Sequence, residues 1–328
     1  MPATPDADSA GSRPADCFPA SETALLRDLE PVVAAEVDRH LSAATDWSPH
    51  QYVPWSRGRD FEFLGGEGWE PGDSTVSPQS REALLVNLLT EDNLPYYHSA
   101  ISHIMGGDGA WGFWVNRWTA EEARHSIVIR DYLTVTRAVD PEELERYRMA
   151  HMQGGYQPDH GESLLRGLAY VSFQELATRV SHRNTGQVSG DPVCEQLMAR
   201  VASDENLHMV FYRNVIAAAF EAAPDETMRA VADVVTGFQM PGHAIDGFWR
   251  KSVAIANAGI YDLRLHHDTV LKPVLRYWRV HDRTDLGPAG EAARERLAAH
   301  LETLNTAATR FEERRAERRA RQAARRQD

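Results

Sequence analysis

The chain has 328 residues, 42% hydrophobic and 25% charged, enough apolar material for a globular core and far from a disordered composition. Its 48 acidic residues outnumber 35 basic ones, giving a formal net charge of −13 that argues against a general nucleic-acid binder, because neutralising phosphates needs a basic surface. With only Cys17 and Cys194, a Cys-ligated iron–sulfur cluster or structural zinc site is excluded, so any metal must be held by His and carboxylates.

Residues Met1 to Ala20 are acidic and polar where a secretory signal would be basic and then apolar, and no apolar run is long enough to span a bilayer. The expectation is a cytoplasmic protein with no membrane insertion. Residues 46–76 are rich in Pro, Gly and aromatics and read as extended. From Ser80 to Met105, Leu84, Leu88, Glu91, Leu94 and His98 recur at three- and four-residue steps, which predicts one amphipathic helix, kinked near Glu91 by Pro95. A second helix is predicted from Thr119 to about Ala138, with Trp118, Glu122, His125, Ile129 and Leu133 on one side. Asp140-Pro141 opens a short helix to Met152, followed by a turn from Gly154 to Gly161. The next helix, Glu162 to about Arg183, aligns Leu168, Val171, Glu175, Thr178 and His182. Asp191-Pro192 then starts a long helix to Glu221 that presents Leu197, Val201, Glu205, His208 and Tyr212. Weaker helical periodicity covers 225–238, 243–258, 268–278 and 288–320, and no run alternates with period two for long enough to build a sheet. The fold class is all-α. The expected division is a disordered tail over 1–20, one helical-bundle domain over 21–306, and a helical or disordered tail over 307–328 that carries eight arginines.

Chemistry concentrates in four of these helices. Glu-x-x-His occurs twice, as Glu122-Ala123-Arg124-His125 and Glu205-Asn206-Leu207-His208, and residues three apart share a helix face, so each pair offers a carboxylate and an imidazole to one metal. Each pair follows a helix with a single Glu on its apolar face: Glu91 stands 31 residues before Glu122, and Glu175 stands 30 before Glu205. One Glu from each of two helices plus Glu-x-x-His from each of two others is the ligand set of ferritin-like dinuclear carboxylate proteins. Iron suits such an oxygen-rich site, and manganese is chemically allowed. Structural readings stand beside this one: Thr119-x-x-Glu122 matches a capping box, Glu175 can pair with Arg179 one turn later, and His208 alone reads as a core histidine.

A longer resemblance covers the chain from about Leu25 to the Arg-rich tail. Thr90-Glu91-Asp92-Asn93-Leu94-Pro95, Trp118 to His125, Phe173-Gln174-Glu175-Leu176-Ala177-Thr178, His182-Arg183-Asn184-Thr185, Asp204 to His208 and Phe238-Gln239-Met240-Pro241-Gly242 resemble the soluble acyl-[acyl-carrier-protein] desaturases, most of all their actinobacterial DesA-type branch. The resemblance implies a ferritin-like bundle with a four-helix di-iron core and additional helices, usually a homodimer. It implies two Fe ions per chain, held by Glu91, Glu122, His125, Glu175, Glu205 and His208. The implied reaction uses O2 and two electrons from a ferredoxin-type donor to insert a cis double bond into an acyl chain carried on acyl carrier protein. By the same resemblance, Asp204 links a ligand His to Trp47, and Thr178 lies near the oxygen-binding face. Ala123, Ser126 and Asn206-Leu207 depart from residues common elsewhere in the family, without removing a ligand. A di-iron hydroxylase or N-oxygenase on the same scaffold is the alternative, followed by a non-enzymatic ferritin-like iron-binding protein. An acidic carrier protein would need a local basic patch, for which the tail arginines and the row Lys272, Arg276, Arg279, Arg283 are candidates.

Overall fold

A computed structural model describes residues 20–155, 163–240, 242, 245 and 247–324. The tail expected over 1–20 lies outside the described residues except for Ala20, as do most of the turn from Gly154 to Gly161 and residues 325–328. Among the described residues there is no strand.

Helix α1 (Ala20–Ala43) was not predicted. Its buried stripe of Leu25, Leu29, Val33, Val37 and His40 keeps helical spacing, with Pro31 inside the helix on the exposed face. Residues 44–77 contain three single turns, Pro49–Gln51, Trp55–Arg57 and Glu62–Leu64. The helix expected over 80–105 is two helices, α2 (Pro78–Glu91) and α3 (Leu94–Met105). Pro95 lacks the N–H that would bond the Glu91 carbonyl, and its ring crowds that carbonyl, so the chain breaks where a kink was expected. α4 (Gly109–Val135) begins ten residues before the predicted Thr119. Thr119 is therefore mid-helix and caps nothing; its Oγ1 lies 2.7 Å from His98 Nδ1.

The remaining starts follow their sequence signals. Asp140 accepts from Glu142 N at the head of α5 (Pro141–Gly154), Ser163 precedes α6 (Leu164–Gln187), and Asp191 accepts from Val193 N at the head of α7 (Pro192–Ala222). α8 (Pro224–Thr236) and α9 (Phe248–Ala258) follow. The helix predicted over 268–278 is a composite: α10 (Leu263–Leu265), a wide π turn His266–Leu271, and α11 (Lys272–Tyr277). α12 (Pro288–Ala324) runs unbroken through the position where the Arg-rich segment begins.

α6 packs along α7 as an antiparallel pair, with α1 against α4 and α7, and α2 against α4. The core has two apolar ends. Along α7, Cys194, Leu197, Met198 and Val201 belong to one cluster, and Phe211, Tyr212, Val215 and Ile216 to the other. Along α4, Val128, Ile129 and Leu133 and then Trp111, Trp114 and Trp118 divide in the same way. Asp204 to His208 and Glu121 to His125 fall between the two clusters, so the polar residues form a layer enclosed by apolar packing.

The end of α12 is tied down by its arginines. Arg315 donates to Asp262 Oδ2 (2.7 Å) and to the Ala256 carbonyl (2.9 Å), and Arg319 to the Asn257 carbonyl (3.0 Å), which satisfies the last turn of α9. A chain ending at Thr309 is expected to melt roughly 2–4 °C lower while binding metal as before. Thermal melts with elemental analysis check this, and a large loss of metal would show that the tail supports the bundle core.

Candidate metal centre

Four helices deliver the polar layer. α2 ends on Glu91, α4 presents Glu122 and His125, α6 presents Glu175, and α7 presents Glu205 and His208. All six are buried, with no more than 7% exposure. They fall into two overlapping groups: Glu91, Glu122, His125 and Glu205, then Glu122, Glu175, Glu205 and His208. Within each group, one N or O atom from every residue lies within 4.8 Å of the others. His125 Nδ1 lies 3.3 Å from Glu122, 3.4 Å from Glu205 and 3.7 Å from Glu91. His208 Nδ1 lies 2.7 Å from Glu122 and 3.6 Å from Glu175. Glu122 and Glu205 belong to both groups, the arrangement needed for carboxylates that bridge two ions.

The surrounding contacts hold this geometry. Trp118 Nε1 donates to Glu175 Oε1 (3.0 Å), so Glu175 faces inward instead of pairing with Arg179 on the surface. The Thr178 hydroxyl lies 2.9 Å from Glu205 Oε2, to which it donates. His182 Nε2 lies 2.9 Å from Glu91 Oε1 and 3.4 Å from Glu205. Asp204 lies 3.5 Å from His125 Nε2 and accepts from Trp47 Nε1 (2.7 Å), Arg124 (3.1 Å) and Arg200. Trp47 also stacks on His125, at 6.4 Å between ring centroids.

Two residues of this network were missed by sequence reasoning. Glu121 Oε2 lies 2.9 Å from His208 Nε2 and 2.9 Å from His40 Nε2, while Arg117 holds its other oxygen. The signal was available: Arg117, Glu121, Glu122 and His125 recur 83 residues later as Arg200, Asp204, Glu205 and His208. In each copy, the acid before the Glu supports the His of the other copy. His40, Glu121 and His208 also bring one N or O atom each within 4.8 Å of the others. Their 2.9 Å separations and the Arg117 contact identify them instead as a hydrogen-bonded relay.

Electrostatics show strain among the carboxylates. Burial, and then the charges of Glu122 and Glu205, push Glu175 well above the usual carboxylate range. Burial and the Glu205 charge also raise Glu122. Glu205 is held well below it: burial opposes this, but hydrogen bonding from Glu175 and contacts with His125 and His182 prevail. Burial disfavours a charged His125, yet the Glu122 charge and the Asp204 contact hold it well above its ordinary value. His208 is raised likewise: burial opposes this, but the contacts with Glu121, Glu122 and Glu175 together prevail. Although burial opposes it, the contact with His125, the charges of His125 and His208 and the hydrogen bond from Trp47 bring Asp204 down to about 2.

The residues fit a dinuclear metal centre. Glu122 Oε1, Glu175 Oε2 and the Nδ1 atoms of His125 and His208 are buried and lack an aligned hydrogen-bond partner, although they approach one another closely. Atoms directed at a shared point instead of at each other are what cation ligands require. Glu121 is an acceptor when ionised, so His208 donates through Nε2 and leaves Nδ1 free to ligate; Asp204, 3.5 Å from His125 Nε2, favours the same tautomer of His125. Beside Glu91 and Thr178 lies a cavity of about 90 Å³, walled on its far side by Met240, Phe248, Ile255 and Tyr261.

A family model described as fatty acid desaturase matches residues 21–327. DesA1 of Mycobacterium tuberculosis H37Rv, provisionally named an acyl-[acyl-carrier-protein] desaturase, is 50% identical over 295 residues, covering 88% of this chain and 87% of that protein. Palmitoyl-[acyl-carrier-protein] 4-desaturase 2 of the orchid Ophrys sphegodes is 31% identical, covering 82% of this chain and 76% of its own length. The X-ray structure of DesA2 from M. tuberculosis H37Rv superposes with a TM-score of 0.68 at 30% identity, over 82% of this chain and 99% of that one. The ferritin-like all-α architecture expected from the sequence is shared with that structure. Among the described residues, no helix is long and apolar enough to cross a membrane.

Proposed function

Because the chain belongs to the fatty acid desaturase family, we propose that it is a di-iron acyl-[acyl-carrier-protein] desaturase working on an acyl chain presented by acyl carrier protein. The observation that carries the reading is the pair of overlapping ligand groups with Glu122 and Glu205 in common. Glu91 and His125 would complete one iron position, and Glu175 and His208 the other. Bound iron would supply the oxidising power that unactivated methylene C–H bonds demand. Overall, one CH2–CH2 unit, O2, two electrons and two protons give one cis CH=CH unit and two waters, with a ferredoxin-type protein as electron donor.

The side chains have separable tasks. Trp118 and Thr178 fix the orientation of Glu175 and Glu205. Asp204, held by Trp47, steadies His125. Thr178 and Glu91 face the cavity beside the centre, whose largely apolar wall would receive the acyl chain next to the reacting positions and keep water out. The carrier protein, being anionic, would dock on a local basic surface. Arg276 and Arg279 line an open cleft of about 490 Å³, whereas Arg283 is engaged by Asp285 and Glu221. A homodimer and a cytoplasmic location complete the proposal.

The test is mass spectrometry of an acylated carrier protein after iron loading, reduction and exposure to oxygen. Loss of two hydrogens is expected. Gain of one oxygen would favour the hydroxylase reading, and an unchanged chain would contradict both.

A further inference from the structure

The two ligand histidines are steadied by crossed carboxylates, but the carboxylates are anchored by different chemistry. Asp204 is fixed by an indole and two guanidinium groups, and sits 3.5 Å from His125. Glu121 gives one oxygen to Arg117 and uses the other for both His208 and His40, each at 2.9 Å. His40 comes from α1, which supplies none of the six predicted ligands. It is fully buried at the end of the α1 apolar stripe, edge-on to Trp114 at 5.0 Å and stacked near His208 at 5.8 Å. A polar ring there costs desolvation free energy unless its hydrogen bond serves the fold or the site.

We propose that His40 is the positioning residue of the Glu175/His208 half of the centre, acting through Glu121, so that the two metal positions are tuned by separate anchors: His40 for one and Trp47 for the other. The inference rests on the dinuclear reading above. Donation from His40 Nε2 pins the Glu121 oxygen that accepts from His208 Nε2–H. That bond sets the tautomer and plane of the His208 ring, and so the direction of its Nδ1 lone pair. Without His40, Glu121 can turn towards Arg117, which already holds its other oxygen. The Asp204 arm shares neither His40 nor Arg117; Arg124 lies near both carboxylates, 3.1 Å from Asp204 and 3.9 Å from Glu121, but Trp47 and Arg200 hold Asp204 alone.

The experiment titrates the full-length metal-free protein with Co(II) and records Mössbauer spectra after loading with iron-57. Wild type, His40→Phe, His40→Gln and Trp47→Phe are compared, with melting curves to check folding. The unmodified chain is expected to bind two metals. His40→Phe should weaken one binding step by about 10–100-fold and shift one of two spectral components. His40→Gln, whose amide can still donate to Glu121, should restore most of that loss, and Trp47→Phe should move the other component. If His40→Phe fails to fold, Glu121→Gln should weaken the same single step. Unchanged binding, or equal shifts in both components, would overturn the inference while leaving the dinuclear reading intact. A wild-type chain that binds no metal would overturn both.

Discussion

The Glu175→Gln variant is expected to lose desaturation by more than about 100-fold and yet to melt higher than the unmodified protein when both are metal-free at neutral pH. The activity loss follows from removing a carboxylate directed at the proposed metal position, which should cost more than disturbing a residue behind a ligand. The stability gain follows from the sign of the Glu175 shift. Burial and the charges of Glu122 and Glu205 raise its native value well above the ordinary 4.5. A carboxyl raised on folding costs stability once the pH exceeds its unfolded value, because the native state must then hold a proton or a buried charge. Glutamine has no such group. Its amide oxygen can still accept from Trp118, and its NH2 can donate to Glu205 as a protonated Glu175 would. The difference in melting temperature should shrink as the pH falls towards about 4.5 and vanish below it. Melts of both chains in chelator across pH 3–8 check this, and a variant less stable at pH 7 would show that Glu175 is a favourable ion in the metal-free fold.

Metal affinity should rise steeply with pH, with protons released on binding. The metal-free centre is balanced by protons, because His125, His208, Glu122 and Glu175 are all raised above their ordinary values. Each proton that metal displaces makes the apparent affinity about tenfold stronger per pH unit over the range where that proton is held. Calorimetry in buffers of different ionisation enthalpy counts the protons. The metal-free protein should show the opposite trend in stability. A histidine raised on folding contributes fully below its unfolded value, and the contribution is lost as pH rises through its folded value. His182 is raised from 6.5 to about 9, the contacts with Glu205 and Glu91 overcoming its burial. The metal-free melting temperature should therefore fall between about pH 6.5 and 9, while the loaded protein changes less. Affinity independent of pH would mean that the ligands are already deprotonated in the free protein.

The helices that carry the site were legible because a residue type and a period coincide there. Glu122/His125 and Glu205/His208 repeat a three-residue spacing, while Glu91 and Glu175 stand as lone acids on apolar stripes. What failed was local. Thr119-x-x-Glu122 has the form of a cap, but the residues from Gly109 onward continue the helix and α4 passes straight through. Pro95 signals both a kink and a break, and periodicity cannot separate the two. Glu121 was hidden by its neighbour: Glu121 and Glu122 are four and three residues from His125, and both spacings place an acid on the same general face. Only the crossing of α4 and α7 sends Glu121 to His208 instead. A single histidine at the end of the α1 stripe carries no periodic signal of its own, so His40 is visible only once α1 is packed against α4 and α7.

The most direct test of the account is an iron-edge anomalous difference map from crystals of the iron-loaded protein. Two peaks per chain are predicted, one between Glu91 and His125 and one between Glu175 and His208, with Glu122 and Glu205 reaching both. A single peak, or peaks away from these six side chains, would contradict the dinuclear assignment.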